Sequence, residues 1–229
     1  MTEIQLVIFD CDGVLMDSEI VAAAAELEIY SEFGIEMSQE EFASRMAGMS
    51  SFEVKKRMEE ELGRELPDRV IPDSRTRVNE KVIAEAQIVT GADIVLDALD
   101  QARCICSNSP PERLEKVLGR VGLYDRFRPY VFSAQDVDPP IFKPKPDLIH
   151  KALTEFDVKP QEAVVIEDSN HGIAAAVAAG ARVIGFTGAS HTYPEHADQL
   201  IDAGAETVIN RLSDLPSIVE ALGQWDGFA

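Results

Sequence analysis

The sequence predicts an α/β protein in which a parallel β-sheet carries helices on both faces and a helical segment interrupts the chain after the first strand. Short runs rich in Val and Ile recur, each nearly continuous and too short for a helix, as is typical of strands buried on both faces. In the second half of the chain these runs alternate with helical patterns, which favours parallel strands joined through helices. Between the first run and the others lies a long stretch with no convincing strand.

The predicted strands are apolar runs bounded by turn or helix signals. In chain order they are IQLVIF (4–9), RCICS (103–107), PYVFSA (129–134), AVVIED (163–168), RVIGFT (182–187) and ETVI (206–209). The helices predicted between them are PPERLEKVLGRVG (110–122), PDLIHKALTEFD (146–157) and NHGIAAAVAAG (170–180). Prolines open the first of these helices and glycines close the first and the last, as expected at helix termini.

The long stretch after the first strand contains only amphipathic helical patterns. They are SEIVAAAAELEIYSEFG (18–34), SFEVKKRMEEELG (51–63) and PDSRTRVNEKVIAEAQ (72–87), after which the α/β pattern resumes near GADIVLDALD (91–100). We therefore expect two domains. An α/β core is formed by residues 1–17 and 87–229, and residues 18–86 form an all-helical cap inserted into it.

The composition limits the possible partners. The chain has a formal net charge of −20, from 21 Lys and Arg against 41 Asp and Glu. This balance argues against nucleic acid or an anionic membrane surface, and an anionic substrate then needs a locally positive site or a metal. We expect a cytoplasmic protein, since no signal peptide or membrane-spanning run is apparent and the three cysteines are too few for a disulfide framework.

Polar side chains follow the predicted strands at their carboxyl ends, where parallel α/β sheets bind their ligands. They are Asp10 and Asp12 after IQLVIF, Ser107 and Asn108 after RCIC, Lys143 and Lys145 in FKPKPD, and Glu167 and Asp168 after AVVI. Because these strand ends meet at one edge of the sheet, we expect carboxylates, a hydroxyl, an amide and an ammonium group to converge there.

The residue types at this edge suggest metal-assisted phosphate chemistry. Two acidic clusters repel each other at short range unless a cation lies between them, and carboxylate oxygens suit Mg²⁺ completed by a substrate phosphate. Ser107 and a lysine are natural phosphate ligands. Asp10 can attack phosphorus as a carboxylate nucleophile, whereas Asp12 can hold a proton for the leaving oxygen and later take one from water.

Four ordered segments resemble the motifs of the haloacid dehalogenase-like (HAD) hydrolase superfamily. They are DCDGVLMDS, SNS, KPKPD and EDSNHGIAAAVAAG. The resemblance spans essentially the whole chain and is closest to the phosphatase and β-phosphoglucomutase-like branch, whose members have a helical cap. It implies a Rossmann-like core with Asp10 as nucleophile and Asp12 as general acid and base.

The resemblance also implies the ligands of phosphate and metal. Ser107, Asn108 and Lys143 match the residues that hold the phosphoryl group, whereas Lys145 falls on a variable position. Mg²⁺ would be bound by Asp10, the backbone carbonyl of Asp12, Glu167 and Asp168, with Asp168 favoured over Glu167 as the direct ligand.

The expected activity is that of a Mg²⁺-dependent phosphatase acting on a small phosphorylated metabolite, a sugar phosphate or sugar-acid phosphate, through an aspartyl-phosphate intermediate. Asp12 favours phosphoryl transfer, because true haloacid dehalogenases lack this second Asp. A sugar phosphomutase is the alternative. Mutases of this branch carry a cap Arg just after a Gly-x-Ser, and Ser51 occupies that place here, although Arg45 lies nearby. A receiver-like signalling module that accepts a phosphoryl group is opposed by Asp12 and the helical insert.

Several neighbouring residues have less specific expectations. Asp17 and Ser18 are interpreted either as an N-cap of the first cap helix or as support for the site, and Glu19 is expected to begin the cap. Gly13 is expected to serve backbone geometry. The residues His171, His191 and His196 are expected to be structural, because two histidines without acids at fixed spacing do not make a metal site.

Overall fold

A parallel sheet forms the centre of the computed structural model, which describes residues 3–46, 49 and 51–224. The strands are β1 (Leu6–Phe9), β2 (Met16–Asp17), β3 (Gln87–Ile88), β4 (Ala102–Ser107), β5 (Val131–Ser133), β6 (Ala163–Glu167), β7 (Arg182–Phe186) and β8 (Thr207–Ile209). Six of them form the sheet in the order β5-β4-β1-β6-β7-β8, with every neighbouring pair parallel. Each predicted strand is present, and the predicted α/β class is confirmed.

The helices lie between the strands and in one long segment after β2. They are α1 (Glu19–Ser31), α2 (Gln39–Met46), α3 (Ser51–Leu62), α4 (Val70–Glu85), α5 (Ala92–Ala98), α6 (Pro111–Arg120), α7 (Tyr124–Phe127), α8 (Asp147–Glu155), α9 (Asn170–Ala178), α10 (His196–Asp202) and α11 (Leu215–Gln224). Among the described residues, no helix is both long enough and apolar enough to cross a membrane.

Both faces of the sheet are buried, which explains why its strands are apolar without alternation. Successive side chains of a strand point to opposite faces. Accordingly, Val7 and Phe9 of β1 belong to one apolar cluster and Leu6 and Ile8 to a second. Helices α5, α6 and α11 contribute to the first cluster, and α8, α9 and α10 to the second. The predicted arrangement of helices on both faces is therefore present.

The order of the strands places the functional edge beside β1. The chain passes from β1 to β4 and β5 on one side, then returns to β6 on the other side of β1 and continues outward to β8. Ligands of open α/β sheets bind where the strand order reverses in this way. The register aligns the three central strands, because Phe9 lies opposite both Ile105 and Ile166. The residues that follow these positions are thus brought to one level.

The segment from α1 to α4 contains only helices and loops in its described residues, as the sequence predicts. It has an apolar cluster of its own, which includes Tyr30, Phe42 and Met58. Val82 near the end of α4 packs into the first cluster of the sheet instead. The helices of this segment therefore have their own core and are also anchored on the α/β part.

An antiparallel ribbon that the sequence analysis did not predict joins the two ends of this helical segment. Met16 and Asp17 of β2 lie opposite Ile88 and Gln87 of β3, respectively. Each strand has only two residues. A run of that length carries no periodicity, so it cannot be recognised as a strand from the sequence.

The variant Phe9→Ala tests whether β1 lies at the centre of the core. Phe9 is fully buried and packs edge to face against Phe127, with ring centroids 5.8 Å apart. Its truncation should lower the free energy of unfolding by about 3–5 kcal/mol, because the close-packed core cannot fill the space that is left. Urea unfolding followed by circular dichroism measures this loss.

The matched control is Phe52→Ala, since Phe52 of α3 is 71% exposed. This variant should unfold within about 0.5 kcal/mol of the unmodified protein. Equal losses for the two variants would contradict the central position of β1.

Candidate active site

A cavity of about 1000 Å³ opens at the carboxyl ends of β1, β4 and β6, with α1 and α4 forming the facing wall. The structure places every residue of the predicted site in its lining: Asp10, Asp12, Ser107, Asn108, Lys143, Glu167 and Asp168. Their convergence follows from the strand register, because each lies at or just beyond the end of a central strand or in the loop after β5.

Lys143 connects two of the carboxylates by buried ion pairs. Its Nζ donates to Oδ1 of Asp10 at 2.7 Å and to Oε1 of Glu167 at 2.5 Å. Burial alone would lower the pKa of Lys143, but the charges of Asp10 and Glu167 outweigh burial and raise it. The ammonium group therefore stays charged between the two acids.

The pKa of Asp10 is raised well above its ordinary value. Burial is the largest cause, and the neighbouring carboxylates of Glu167, Asp168 and Asp12 add to it, whereas Lys143 opposes the shift. One ammonium group is thus not enough to offset burial and several acids. This excess of buried negative charge is the electrostatic character of a cation-binding site.

Oxygen atoms of Asp10, Glu167 and Asp168 lie within 4.8 Å of one another, close enough to hold one metal ion. Three buried carboxylates form the hard oxygen donor set that Mg²⁺ prefers. Glu167 Oε2 already accepts hydrogen bonds from the Asp168 and Ser169 amides at 3.1 Å and from Ser169 Oγ at 2.9 Å. Since Lys143 occupies the other Glu167 oxygen, Asp10 and Asp168 have more accessible oxygens for an ion.

Two glycines allow the backbone to approach these acids. A Cβ on Gly172, in the first turn of α9, would lie 1.8 Å from Oε1 of Glu167. A Cβ on Gly13, whose φ is +76°, would lie 1.8 Å from Oδ2 of Asp168. Gly13 therefore serves both the left-handed backbone and the space for a carboxylate.

Asp12 has a different environment from Asp10. Its carboxylate accepts hydrogen bonds from Ser18 Oγ at 2.6 Å, Ser109 Oγ at 2.5 Å and Arg113 Nη2 at 2.5 Å. Burial acts to raise the pKa of Asp12, but the charge of Arg113 and the hydrogen bonds from Ser109 and Ser18 outweigh burial and lower it. In this arrangement Asp12 is held ionised.

Ser107 and Asn108 organise the loop after β4. Ser107 Oγ accepts from the backbone N–H of Ser109 at 3.0 Å, which leaves its hydroxyl hydrogen available to a ligand. Asn108 Oδ1 accepts from the backbone N–H of Lys143 at 3.0 Å. The side chain of Asn108 therefore fixes the start of the loop that carries the lysine.

Arg113 and Ser109 belong to the site and were missed by sequence reasoning. Arg113 lies in the first turn of α6, where the helix dipole disfavours a positive charge. That unfavourable position was the available signal, because an arginine there needs an acidic partner. Ser109 is the last residue of the SNS segment, and its place in that segment was the available signal.

Both His191 and His196, which were expected to be structural, contact Asp168. His191 Nε2 lies 3.1 Å from Asp168 Oδ2, and His196 Nε2 donates to the Asp168 backbone carbonyl at 2.6 Å. Burial would lower the pKa of His191, but its hydrogen bond to Asp168 and the charge of that acid raise it. His171 is exposed and also lines the cavity. No sequence spacing connects His191 with Asp168, so the fold alone reveals this contact.

Asp17 and Ser18 fit the second of their two interpretations, support for the site, although Ser18 also occupies the N-cap position of α1. Ser18 precedes α1 but makes no side-chain capping bond, and its hydroxyl reaches Asp12 instead. Asp17 Oδ1 accepts from the backbone N–H of Ser190 at 3.1 Å, which ties β2 to the loop that carries His191. Both residues support the site.

Glu19 also lines the cavity of the candidate active site, where it is half-buried. Burial, together with the charges of Asp12 and Asp168, raises the pKa of Glu19 to about 7. It begins α1, as predicted, but it is also part of the site.

Arg45 does not reach the cavity lining. It pairs with Glu41 at 3.1 Å and with Glu61 at 2.5 Å. Ser51, at the place of the mutase arginine, does line the cavity. Gly48 and Ser50, the ends of the Gly-x-Ser segment, lie outside the described residues.

Known proteins with similar structures agree with this fold. A haloacid dehalogenase-like protein of unknown function from Agrobacterium tumefaciens is 46% identical, with a TM-score of 0.90 over 96% of this chain and 99% of that one. A HAD family hydrolase from Deinococcus radiodurans, solved with bound phosphate and sodium, is 28% identical, with a TM-score of 0.82 over 99% of each chain.

Curated relatives point to the same family. The 6-phosphogluconate phosphatase of Escherichia coli K12 is 29% identical over 99% of each chain. Hexitol phosphatase B of the same organism is 31% identical over 80% of this chain and 83% of its own length. Residues 4–180 match the haloacid dehalogenase-like hydrolase family. The chain therefore belongs to the haloacid dehalogenase-like hydrolases, which confirms the resemblance and the prediction of an enzyme.

Proposed function

We propose that this hydrolase is a Mg²⁺-dependent phosphatase that releases phosphate from a small phosphorylated metabolite through an aspartyl-phosphate intermediate. The observation that carries the proposal is the position of Lys143. Its ammonium group lies 2.7 Å from Asp10 in a cavity that also contains Asp12, Glu167 and Asp168. A cation beside a buried carboxylate suits a nucleophile that must approach an anionic phosphoryl group.

The reaction proceeds in two displacements. An oxygen of Asp10 forms a bond to phosphorus as the bond from phosphorus to the leaving oxygen breaks, and Asp12 supplies a proton to that oxygen. Water then attacks the aspartyl phosphate, Asp12 takes a proton from the water, and the bond between phosphorus and Asp10 breaks. Lys143, Ser107 and Asn108 hold the phosphoryl group in both steps.

Mg²⁺ would be held by Asp10, the Asp12 backbone carbonyl and Asp168, with Glu167 in support, and would supply positive charge that favours ionised Asp10. Arg113 keeps Asp12 ionised, which is the state that accepts a proton from water. For the first step Asp12 must carry a proton, and the negative phosphoryl group beside it favours that state by raising its pKa.

In this proposal residues 18–86 act as the cap and the remainder as the catalytic core. Two observations support this division: the ribbon β2–β3 lies at both crossings of the chain, and α1 and α4 form the cavity wall opposite the strand ends. A cap at this position excludes bulk water from the phosphoryl group and contacts the leaving group.

The substrate class we propose is a phosphorylated sugar, sugar alcohol or sugar acid. The cavity volume of about 1000 Å³ suits such a molecule. Two relatives are named as phosphatases of 6-phosphogluconate and of hexitols, and a similar structure contains bound phosphate. A nucleic acid or membrane partner is not part of the proposal.

A cytoplasmic location is retained as a further part of the proposal. The three cysteines are buried and free, which suits a reducing compartment. Mutase activity is the second candidate, but Ser51 supplies no cation at the place of the mutase arginine, and Arg45 is paired with Glu41 and Glu61.

Phosphate release is tested with a panel of phosphorylated sugars, hexitols and sugar acids in the presence of Mg²⁺. At least one compound should release inorganic phosphate, and Asp10→Asn should lower the rate at least about 10³-fold, because an amide cannot replace the attacking carboxylate. The control Asp125→Asn changes a side chain that is 85% exposed and should retain activity. Retained activity in Asp10→Asn, or conversion to an isomeric phosphosugar without phosphate release, contradicts the proposal.

Metal dependence is tested by chelation. Removal of divalent ions with EDTA should abolish turnover, and Mg²⁺ should restore it. Added at 100 times its dissociation constant, Mg²⁺ should also stabilise the protein by about 2.7 kcal/mol, measured as a rise in Tm. In Asp168→Asn this rise should be much smaller, since one carboxylate of the cluster is lost. Undiminished turnover in EDTA would refute the metal site.

Lys143→Ala tests the buried ion pairs in metal-free protein. The free energy of unfolding should fall by about 3–5 kcal/mol at pH 7, because two buried carboxylates lose their partner. Without the opposing ammonium group, burial raises the pKa of Asp10 further in the folded state, so the loss should shrink as the pH falls through that pKa. Lys159→Ala removes a lysine whose side chain is 78% exposed and should cost less than about 1 kcal/mol. Equal unfolding energies for the two variants would disprove this role of Lys143.

A further inference from the structure

The basic side chains in the cavity wall differ in whether they already have acidic partners. Lys143 is paired with Asp10 and Glu167, and Arg113 is paired with Asp12. Arg75 also lines the cavity, but it has no ion pair or hydrogen bond to another described residue. Its charge is therefore available to a ligand.

Arg75 lies on the wall that faces the strand ends. It belongs to α4, and the residues of that helix that line the cavity, Ser74, Arg75, Val78 and Asn79, recur with helical spacing on one face. The groups proposed to hold the phosphoryl group lie on the opposite side, at the ends of β1, β4 and β6. A ligand bound through phosphorus at the strand ends would therefore present its other end toward α4.

An acidic group that contacts this face is Glu26 of α1, whose Oε1 accepts a hydrogen bond from Ser74 Oγ at 3.2 Å. Burial raises the pKa of Glu26 to about 7, with the hydrogen bond from Ser74 opposing the shift. Near neutral pH it is therefore partly protonated and only a partial negative charge. Arg75 is the stronger charge on this wall.

We propose that Arg75 binds a second anionic group of the substrate, a carboxylate at the end remote from the phosphate, and so selects phosphorylated sugar acids. This inference rests on the phosphatase function proposed above. Without Arg75, the carboxylates that line this cavity would repel a substrate carboxylate, since Lys143 and Arg113 are already paired. A neutral hydroxymethyl end meets no such repulsion and has no need of the arginine.

A carboxylate fits this position better than a second phosphate. The paired N–H donors of the guanidinium group match the oxygens of either group, so the charge decides, and one positive charge balances one negative charge. A phosphate carries nearly two negative charges, and the described part of the wall offers no further unpaired lysine or arginine beside Arg75. The substrate class that follows is a monophosphate of a sugar acid.

The test compares 6-phosphogluconate with glucitol 6-phosphate. At the end remote from the phosphate, the first compound has a carboxylate and the second has a hydroxymethyl group. In Arg75→Ala the ratio of kcat/KM for the acid over the hexitol should fall about tenfold or more, because a charge-assisted contact is lost. The loss should appear mainly in KM, since the contact lies far from the reacting phosphorus and is the same in ground and transition states. Arg75→Lys, which keeps the charge but not the fork, should give an intermediate ratio.

The matched control is Arg77→Ala. Arg77 lies on the same helix, pairs with Glu28 at 3.1 Å and does not line the cavity, so its removal should leave the ratio unchanged. An unchanged ratio in Arg75→Ala, or an equal fall in Arg77→Ala, overturns the inference. Fructose 1,6-bisphosphate against fructose 6-phosphate tests a phosphate as the second anion. If Arg75→Ala lowers the kcat/KM ratio only for the bisphosphate over the monophosphate, the assignment of a carboxylate is also overturned.

Binding to Asp10→Asn separates this inference from the proposed function. Calorimetry in the presence of Mg²⁺ measures the binding of each ligand to Asp10→Asn and to the double variant Asp10→Asn/Arg75→Ala. The second substitution should weaken the binding of 6-phosphogluconate about tenfold more than that of glucitol 6-phosphate. If the unmodified protein releases no phosphate but this difference is found, the phosphatase function fails while the anion site stands. If phosphate is released and the difference is missing, the anion site alone fails.

Discussion

The buried pairing of Lys143 with Asp10 and Glu167 is the interaction on which the rest of the site depends. In a chain of net charge −20, several acids meet at one edge of the sheet in a dehydrated environment. Such a gathering is stable only if positive charge is placed among them. The loop after β5 delivers this charge, and Asn108 fixes its position through the backbone of Lys143. The strands bring the acids together, and the lysine makes their proximity tolerable.

Two neighbouring aspartates acquire opposite proton affinities from their surroundings. Burial and nearby acids raise the pKa of Asp10, whereas Arg113 and two serines lower the pKa of Asp12 despite burial. The proposed first step needs the reverse, an ionised Asp10 and a protonated Asp12. A cation beside Asp10 and a phosphoryl group beside Asp12 change both affinities in the required direction. In the protein alone the pKa values of the two side chains are therefore shifted away from what the first step needs, and the bound groups shift them back.

The sequence predicted the sheet and the strand-end residues because both follow from local patterns. Apolar runs marked the strands, and residues directly after Phe9, Ile166 and the RCIC run could only lie at one edge once the strands were parallel. The contacts of His191 with Asp168 and of Ser190 with Asp17 were not predictable, since they join distant loops without any fixed spacing. The two interpretations of Ser18 could not be separated from the sequence, because only the fold brings its hydroxyl to Asp12. Local propensity predicts helices and strands well, but it does not predict which distant residue a polar side chain will hydrogen-bond.

The ribbon formed by β2 and β3 has a consequence for how such a protein changes over evolution. Because Asp17 and Gln87 lie opposite each other, the helical segment leaves and re-enters the α/β part at neighbouring points. An insertion with adjacent ends can be lengthened, shortened or exchanged without altering the path of the strands. Recombination at this one place would replace the wall that carries Arg75 while leaving Asp10, Lys143 and Asp168 untouched. New substrate preferences are then accessible without rebuilding the chemistry.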